Sequence, residues 1–186
     1  MCTIKKKVLR FIQGKLGFFF LIALSGLLSA CSVVNVQKGT PLSSERWMIL
    51  PFQNYSQSPR AGEQVEQLLA TLFRIRGVSD IAIYQPLDDD KGAFEFNERR
   101  RQEKALSAIR NRASYAVTGS VDEWQYKLGV GSEPAVGLTI QIIEIPSGKV
   151  VWSASGARSG WSTGSLSGTA QNLLKDMISS VEFQKS

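Results

Sequence analysis

The feature that most constrains the fold is a pair of neighbouring segments with the pattern of a β-hairpin. In the first segment, apolar side chains occupy every second position: Val136, Leu138, Ile140 and Ile142. This period of two is typical of a strand that buries one face and leaves the other polar. The turn formers Pro146-Ser147-Gly148 follow, and Val150 to Ala157 is predicted as the returning strand.

The remaining apolar patterns alternate between strand and helix. Strands are predicted at Trp47–Leu50, Ile81–Tyr84 and Tyr115–Tyr126, and helices after Ser58-Pro59, at Asn97–Arg112 and from Leu166 onward. The order β-α-β-α-β-β-β-α predicts one α/β domain in which three helices cover a mixed sheet. Ser58-Pro59 has the residue types of an N-cap and first helical position. A change of phase near Asp122 indicates a β-bulge.

The first 30 residues have the layout of a secretory signal peptide. A basic stretch ends at Lys15, and the apolar run Leu16–Leu28 follows, whose 13 residues are fewer than the roughly 20 that a membrane-spanning helix needs. Leu28-Ser29-Ala30-Cys31 resembles the lipobox of bacterial lipoproteins, which implies that Cys31 is acylated. The alternatives are an ordinary secretory signal or a membrane anchor with an incidental cysteine.

This leader defines the predicted domain boundaries. Residues 1–30 are the lipoprotein signal peptide, 31–45 the lipidated N-terminus and short tether, and 46–186 the periplasmic α/β domain. Ser32 follows the acylated cysteine, and by the resemblance to enterobacterial lipoproteins it implies an outer-membrane address. The 15 steps from Cys31 to Arg46 span at most about 50 Å, so the domain is expected to stay near its membrane.

The charge of the chain belongs mostly to the leader. The formal net charge is +6, but residues 1–30 hold five basic residues and no acidic one. The remainder has 17 basic and 16 acidic residues, so no nucleic-acid partner is expected.

The composition also excludes several kinds of catalytic site. The chain contains no histidine, which excludes Ser-His-Asp and Cys-His nucleophiles and histidine-ligated metals. With Cys31 acylated and Cys2 in the leader, the mature chain has no free thiol for a disulfide or a metal. The neighbouring carboxylates Glu63/Glu66 and Asp122/Glu123 lack an apolar setting that would raise one pKa. We therefore expect no enzyme, no cofactor and no metal.

Two stretches resemble a broad class of periplasmic domains. They are Ile49-Leu50-Pro51-Phe52-Gln53-Asn54-Tyr55-Ser56 with the helix after it, and Tyr115–Val121 with the later Ser147–Ser153. The class includes the TolB N-terminal domain, the secretion lipoprotein CsgG and the LpoB-type activators of peptidoglycan synthases. The resemblance implies a TolB N-terminal/CsgG-like fold.

Within this class, Val151–Trp161 followed by Ser167-Gly168-Thr169-Ala170-Gln171 is similar to the PelC family of outer-membrane lipoproteins. The resemblance implies a homo-oligomeric ring, a dodecamer, on the periplasmic face of the outer membrane. It also implies that the ring guides the cationic Pel exopolysaccharide of biofilms to a β-barrel porin. The alternative function is that of an LpoB-type lipoprotein activating a peptidoglycan synthase.

Two tryptophans are candidates for contact with the membrane interface. Trp161 lies in a loop of glycine and serine, away from any apolar period, where an indole suits the boundary between acyl chains and headgroups. Packing back over the core is the alternative for Trp161. Trp124 is the second candidate, because the phase change beside it could turn its side chain outward. Packing at an interface between subunits of a ring is the alternative for Trp124.

An acidic run is the candidate for guiding the polysaccharide. Asp88, Asp89 and Asp90 follow Pro86, and Glu95 could join them. Carboxylates beside a pore would attract a cationic polymer by electrostatic steering. A solvated turn with helix-capping carboxylates is the alternative interpretation.

We predict that Cys31→Ala removes the lipid and releases the protein from the membrane. Metabolic labelling with radioactive palmitate and membrane fractionation measure both effects, and Cys2→Ala is the matched control. Retention of the label or of the membrane location by Cys31→Ala would contradict acylation at this residue.

Overall fold

The computed structural model describes residues 39–85, 98–127, 132–160 and 163–184, with the backbone alone at 98 and 99. The elements are β1 (Arg46–Ile49), β2 (Gln53–Asn54), α1 (Ala61–Ile75), β3 (Asp80–Ile83), α2 (Glu98–Ala108), β4 (Tyr115–Lys127), β5 (Glu133–Glu144), β6 (Lys149–Ser159) and α3 (Leu166–Ser179). The predicted order is confirmed, with β2 as one short addition. None of the helices in these ranges combines the length and apolar character that crossing a membrane requires.

The described strands form one mixed six-stranded sheet in the order β3-β1-β4-β5-β6, with β2 paired to β4. β1 is parallel to β3 and to β4, and β2 is also parallel to β4. β4, β5 and β6 are antiparallel neighbours, as the hairpin pattern predicts for the last two. The sheet therefore has a parallel half and a longer antiparallel half, which share β4.

Alternate residues of each strand enter two separate cores. Trp47 and Ile49 of β1 pack with α1 and α3 on one face of the sheet. Met48 belongs to a smaller cluster on the other face, with Ala105 and Ile109 of the α2 segment. Helices therefore cover both faces of the parallel half. This is needed because the strands there have apolar side chains on both faces.

Two bulges interrupt the antiparallel pairing. The register between β4 and β5 shifts between Val121 and Glu123, which confirms the bulge predicted near Asp122. A second shift lies between β5 and β6, where Ile142 pairs with Trp152 and Ile143 pairs with Val150. Val151 is consequently an extra residue on β6.

The predicted start of the first helix is wrong. Helix α1 begins at Ala61, and its N-cap is Arg60 in a left-handed conformation with φ 60°. Ser58 is held in the preceding turn, because its carbonyl accepts a hydrogen bond from Asn54 Nδ2 at 2.8 Å. The second helix is also shorter than predicted, since α2 ends at Ala108 and the chain then continues in turns.

Gly119 of β4 lies where no side chain fits. A Cβ at this position would be 1.9 Å from the Thr139 carbonyl oxygen and 2.7 Å from Phe52 Cε1. Gly119→Ala must therefore separate β4 from β5 or displace Phe52, and we expect a loss of at least about 2 kcal/mol in the free energy of unfolding.

The matched control is Gly77→Ala, where no atom lies within 4 Å of the added Cβ but φ is 96°. This variant reports the cost of placing alanine in a left-handed backbone conformation, about 1–2 kcal/mol. Urea denaturation measures both variants. A loss for Gly119→Ala no larger than that for Gly77→Ala would show that the strands tolerate the added methyl group.

Candidate functional site

Most of the predicted site residues lie outside the described residues. These are Cys31, Asp88, Asp89, Asp90, Glu95 and Trp161. Their predicted roles in lipidation, polymer guidance and membrane contact stay predictions.

Trp124 is described, and the membrane contact expected for it is wrong for this fold. Its side chain is 2% exposed and belongs to the larger core cluster. The physical reason is the bulge at Asp122, which adds one residue to β4 and so returns Trp124 to the same face as Val121. An indole buried in this way has almost no surface to place among lipid headgroups.

The bulge also directs Asp122 onto the opposite, polar face of the antiparallel half. Ser120 Oγ donates to Asp122 Oδ1 at 2.8 Å, and Thr139 Oγ1 donates to Asp122 Oδ2 at 3.1 Å. Thr139 Oγ1 also lies 3.2 Å from Ser155 Oγ. We call these four residues the polar ladder, since Ser120, Thr139 and Ser155 are direct cross-strand partners in β4, β5 and β6.

The polar ladder is an open surface feature. The side chains of Asp122 and Ser155 are exposed, and those of Ser120 and Thr139 are half-buried. An exposed row of hydroxyl groups around one carboxylate can bind ammonium or hydroxyl groups of a polymer, or polar groups of another protein. The sequence analysis did not identify Ser120, Thr139 and Ser155 as members of a site. One signal was available: Thr139 and Ser155 lie at equal distances along the chain from Ser147 in the predicted turn, so they would face each other across the hairpin.

The place where a doubly wound fold usually binds small ligands is filled by the chain itself. Such ligands lie beyond the carboxyl ends of the parallel strands. They bind at the point where one connection runs toward one edge of the sheet and the next runs toward the other edge. Here that place lies between β1 and β4, and β2 occupies it. Gln53 Nε2 donates to Gln102 Oε1 at 2.7 Å, and Gln102 Nε2 donates to the Gly119 carbonyl at 2.9 Å. These bonds join β2, α2 and β4.

Glu66 closes the same region from α1. Its Oε1 accepts a hydrogen bond from the Phe52 backbone N–H at 3.0 Å. Burial raises the pKa of the Glu66 carboxyl, while the bond from Phe52 and the charge of Arg101 lower it in part. The expectation that neither Glu63 nor Glu66 has a setting that raises its pKa is therefore wrong for Glu66. Glu63 is instead paired with Arg60 at 2.8 Å. The two carboxylates therefore have separate structural partners and do not form a catalytic pair.

No metal-binding cluster of three or more histidine, cysteine, aspartate or glutamate side chains occurs among the described residues. A groove of about 560 Å³ lies between the first half of α1 and Ser167, and its rim includes the Arg60–Glu63 pair. It is wide open to solvent, so it offers little enclosed apolar surface for a small ligand.

The fold and the polar ladder define the class: a three-helix α/β domain whose sheet extends into a long antiparallel half with one polar face. The PelC dodecamer from Paraburkholderia phytofirmans has this fold, with 31% sequence identity and a TM-score of 0.69, covering 83% of this chain and 100% of that chain. A leucine-to-methionine variant of the same dodecamer, in another crystal form, gives the same values. The chain belongs to the PelC family, and the resemblance seen in the sequence is confirmed.

More distant structures add nothing to this assignment. The LpoB C-terminal domain from Salmonella enterica has 19% identity and a TM-score of 0.46, covering 66% of this chain and 87% of that chain. No protein-family model matches the chain, and no curated protein matches it.

The Glu66 contact generates a pH-dependent prediction. Because the folded-state pKa of Glu66 is raised, its contribution to stability is fully present below the ordinary value of 4.5 and is lost as pH rises through the folded value. Glu66→Gln keeps an acceptor for Phe52 without the buried charge, so we expect it to remove this loss and to match or exceed the native stability at pH 7.

Glu66→Ala is the contrasting variant. It leaves the Phe52 N–H without its acceptor, and we expect a loss of about 1–3 kcal/mol at both pH 4 and pH 7. Urea midpoints at the two pH values provide the measurement. If Glu66→Gln destabilised the domain as much as Glu66→Ala does, the ionised carboxylate itself would be essential to the contact.

Proposed function

We propose that this chain is a lipoprotein anchored to the periplasmic face of the outer membrane, where a ring of copies guides cationic Pel exopolysaccharide to a β-barrel export porin. The observation that carries the proposal is the 31% identity over the full length of a PelC chain that forms a dodecamer. The mechanism is electrostatic guidance combined with membrane docking, and no bond is made or broken.

The proposal of a ring rests on the dodecamer formed by the relative and not on the structure of this single chain. A closed ring needs a heterologous interface, in which two different surfaces of each copy meet. The P. phytofirmans protein forms a dodecamer in two crystal forms. A chain with the same fold and this degree of identity is expected to assemble in the same way.

The path of the tether supports a position close to the membrane. Pro41 accepts a hydrogen bond from the Gln184 backbone N–H at 3.1 Å, and Leu42 accepts one from Trp47 Nε1 at 3.1 Å. The segment from Gly39 onward therefore belongs to the domain. Only the eight steps from Cys31 to Gly39 are left as a link, which reaches about 26–29 Å at most. This reach suits a domain on the membrane and does not favour a synthase activator that must cross the periplasm.

Guidance of the polymer is assigned to the acidic run Asp88-Asp89-Asp90 with Glu95. Asp122 in the polar ladder is a described carboxylate that faces solvent and could add to the same attraction. Repeated ammonium groups on a partly deacetylated sugar polymer would be concentrated near such carboxylates without tight binding, which leaves the polymer free to move.

The experiment uses a strain in which the chromosomal copy is deleted and the full chain is supplied again. The deletion is expected to abolish secreted polysaccharide, and the native chain to restore it. The variant Asp88→Asn/Asp89→Asn/Asp90→Asn is expected to restore it only in small part, because it removes three negative charges without a large change in side-chain size. Secreted polymer is quantified by its amino-sugar content after hydrolysis.

The matched control is Asp88→Glu/Asp89→Glu/Asp90→Glu, which keeps the charge and should restore secretion. Normal secretion by the asparagine variant would remove the acidic run from the mechanism. Normal secretion by the deletion strain itself would overturn the proposed function.

A further inference from the structure

We propose that the polar face of the sheet around Tyr55 and Asp122 is a binding site for single sugar rings of an amino-sugar chain. The ring of one sugar lies on Tyr55, and its amino and hydroxyl groups bond to the polar ladder. This inference rests on the proposed function, which it deepens from long-range attraction to contact with individual sugar units.

The first observation is an exposed aromatic side chain directly after β2. Tyr55 is 66% exposed. Its backbone N–H donates to the Val121 carbonyl at 2.9 Å, and the preceding Asn54 is the Cα partner of Val121. Tyr55 therefore lies beside the bulge that turns Asp122 outward. Tyrosine is enriched in contact surfaces, because it offers a large apolar ring with few rotatable bonds.

The second observation is that this exposed ring is held in place. The Tyr55 hydroxyl donates to Gln53 Oε1, and Gln53 Nε2 donates to Gln102 Oε1 at 2.7 Å. Gln102 Nε2 donates in turn to the Gly119 carbonyl at 2.9 Å. Three hydrogen bonds thus connect the phenol group to the backbone of β4. A ring that is oriented in advance loses little conformational entropy when a ligand covers it.

The third observation is that the ring shares a face of the sheet with the polar ladder. Gln53 is the Cα partner of Ser120, and partners in neighbouring strands point to the same face. The bond from Tyr55 to Gln53 places the tyrosine on that face as well. One row of polar side chains crosses four strands here, about 14 Å at the usual strand spacing. Its members are Gln53, Ser120, Thr139 and Ser155.

This row together with Tyr55 and Asp122, which we call the sugar platform, has the groups that a pyranose ring needs. The ring has a face of C–H groups, which packs on an aromatic side chain. Its edge carries hydroxyl groups, which bond to side chains that both donate and accept, as the hydroxyl and amide groups of the row do.

Asp122 gives the sugar platform its preference for an amino sugar. Its carboxylate is exposed and accepts one hydrogen bond on each oxygen, from Ser120 and from Thr139. Each carboxylate oxygen has two lone pairs, so both oxygens can accept a further bond. An ammonium group makes a charge-assisted hydrogen bond there, which is stronger than the bond of a neutral hydroxyl group.

A protein partner fits this surface less well than a sugar chain does. The core of a protein interface consists of several apolar side chains in close contact. The sugar platform has one large apolar side chain, that of Tyr55, and five polar ones. Because the platform is open to solvent, each sugar contact is weak, and a chain can exchange one ring for the next.

The test is oligosaccharide binding by the mature lipoprotein, measured by ligand-observed NMR titration in a detergent without sugar groups. The probe is a short oligomer of partly acetylated glucosamine. A glucose oligomer of the same length is the uncharged comparison, and spermidine is a cation without a sugar ring. We expect the native chain to bind the glucosamine oligomer more tightly than either of the other two.

The variants separate stacking from charge. Tyr55→Ala is expected to weaken binding of the glucosamine oligomer about 5- to 10-fold, because it removes the stacked ring. Tyr55→Phe keeps the ring and retains most of the affinity. Asp122→Asn is expected to remove most of the preference for glucosamine over glucose.

Tyr126→Ala is the matched control. Tyr126 is 45% exposed and lies on β4, two residues after the buried Trp124 and therefore on the opposite face from the sugar platform. Both tyrosines are exposed, so neither alanine variant is expected to unfold the domain. Tyr126→Ala should leave the Kd for the oligomer unchanged.

Three outcomes overturn the site. They are no measurable binding of the glucosamine oligomer by the native chain, the same Kd for the native chain and Tyr55→Ala, and equal weakening by Tyr55→Ala and Tyr126→Ala. Spermidine binding as tight as that of the oligomer would show attraction by charge alone and would overturn the site too.

The secretion assay separates failure of this site from failure of the proposed function. Binding that depends on Tyr55, in a chain whose deletion leaves secretion normal, supports the site and overturns the export function. Binding that does not depend on Tyr55, in a chain whose deletion abolishes secretion, overturns the site and supports the export function.

Discussion

The domain depends on β4, the strand that both halves of the sheet share. Its first residues pair with β1, its middle pairs with β2, and nearly its whole length pairs with β5. This continuous pairing is possible because Gly119 has no side chain to separate β4 from Thr139. The bulge at Asp122 then keeps Trp124 in the core while it turns the carboxylate outward. Local features of one strand thus give the molecule a two-sided parallel half and a half with one polar face.

The order of elements could be predicted because each long strand or helix has a clear apolar period. β2 could not be predicted, because its two residues, Gln53 and Asn54, are too few to show an apolar period. The start of α1 was missed since Asn54 holds Ser58 in a turn, a contact that the N-cap pattern does not contain. Trp124 shows a limit of a different kind. A phase change in the apolar pattern indicates a bulge but does not identify the extra residue. That residue decides on which face of the strand the Trp124 indole lies.

The positions of the polar side chains explain why a surface, rather than a pocket, is the candidate site. Gln53, Gln102 and Glu66 bond β2, α1 and α2 together where related topologies hold small ligands. The polar ladder is instead exposed on the surface of the sheet. The proposed weak contact with a long polymer would need such a surface. Membership of the PelC family places this chain among proteins for which a dodecamer is known.

The most direct test of the central claim is the mass of the acylated mature chain in detergent, measured by light scattering over a range of concentrations. The account predicts one discrete assembly of many subunits, with twelve as the number found in the P. phytofirmans relative. The Cys31→Ala protein, measured in parallel, shows whether the lipid is needed for assembly. A monomer at every concentration of the acylated protein would contradict the ring.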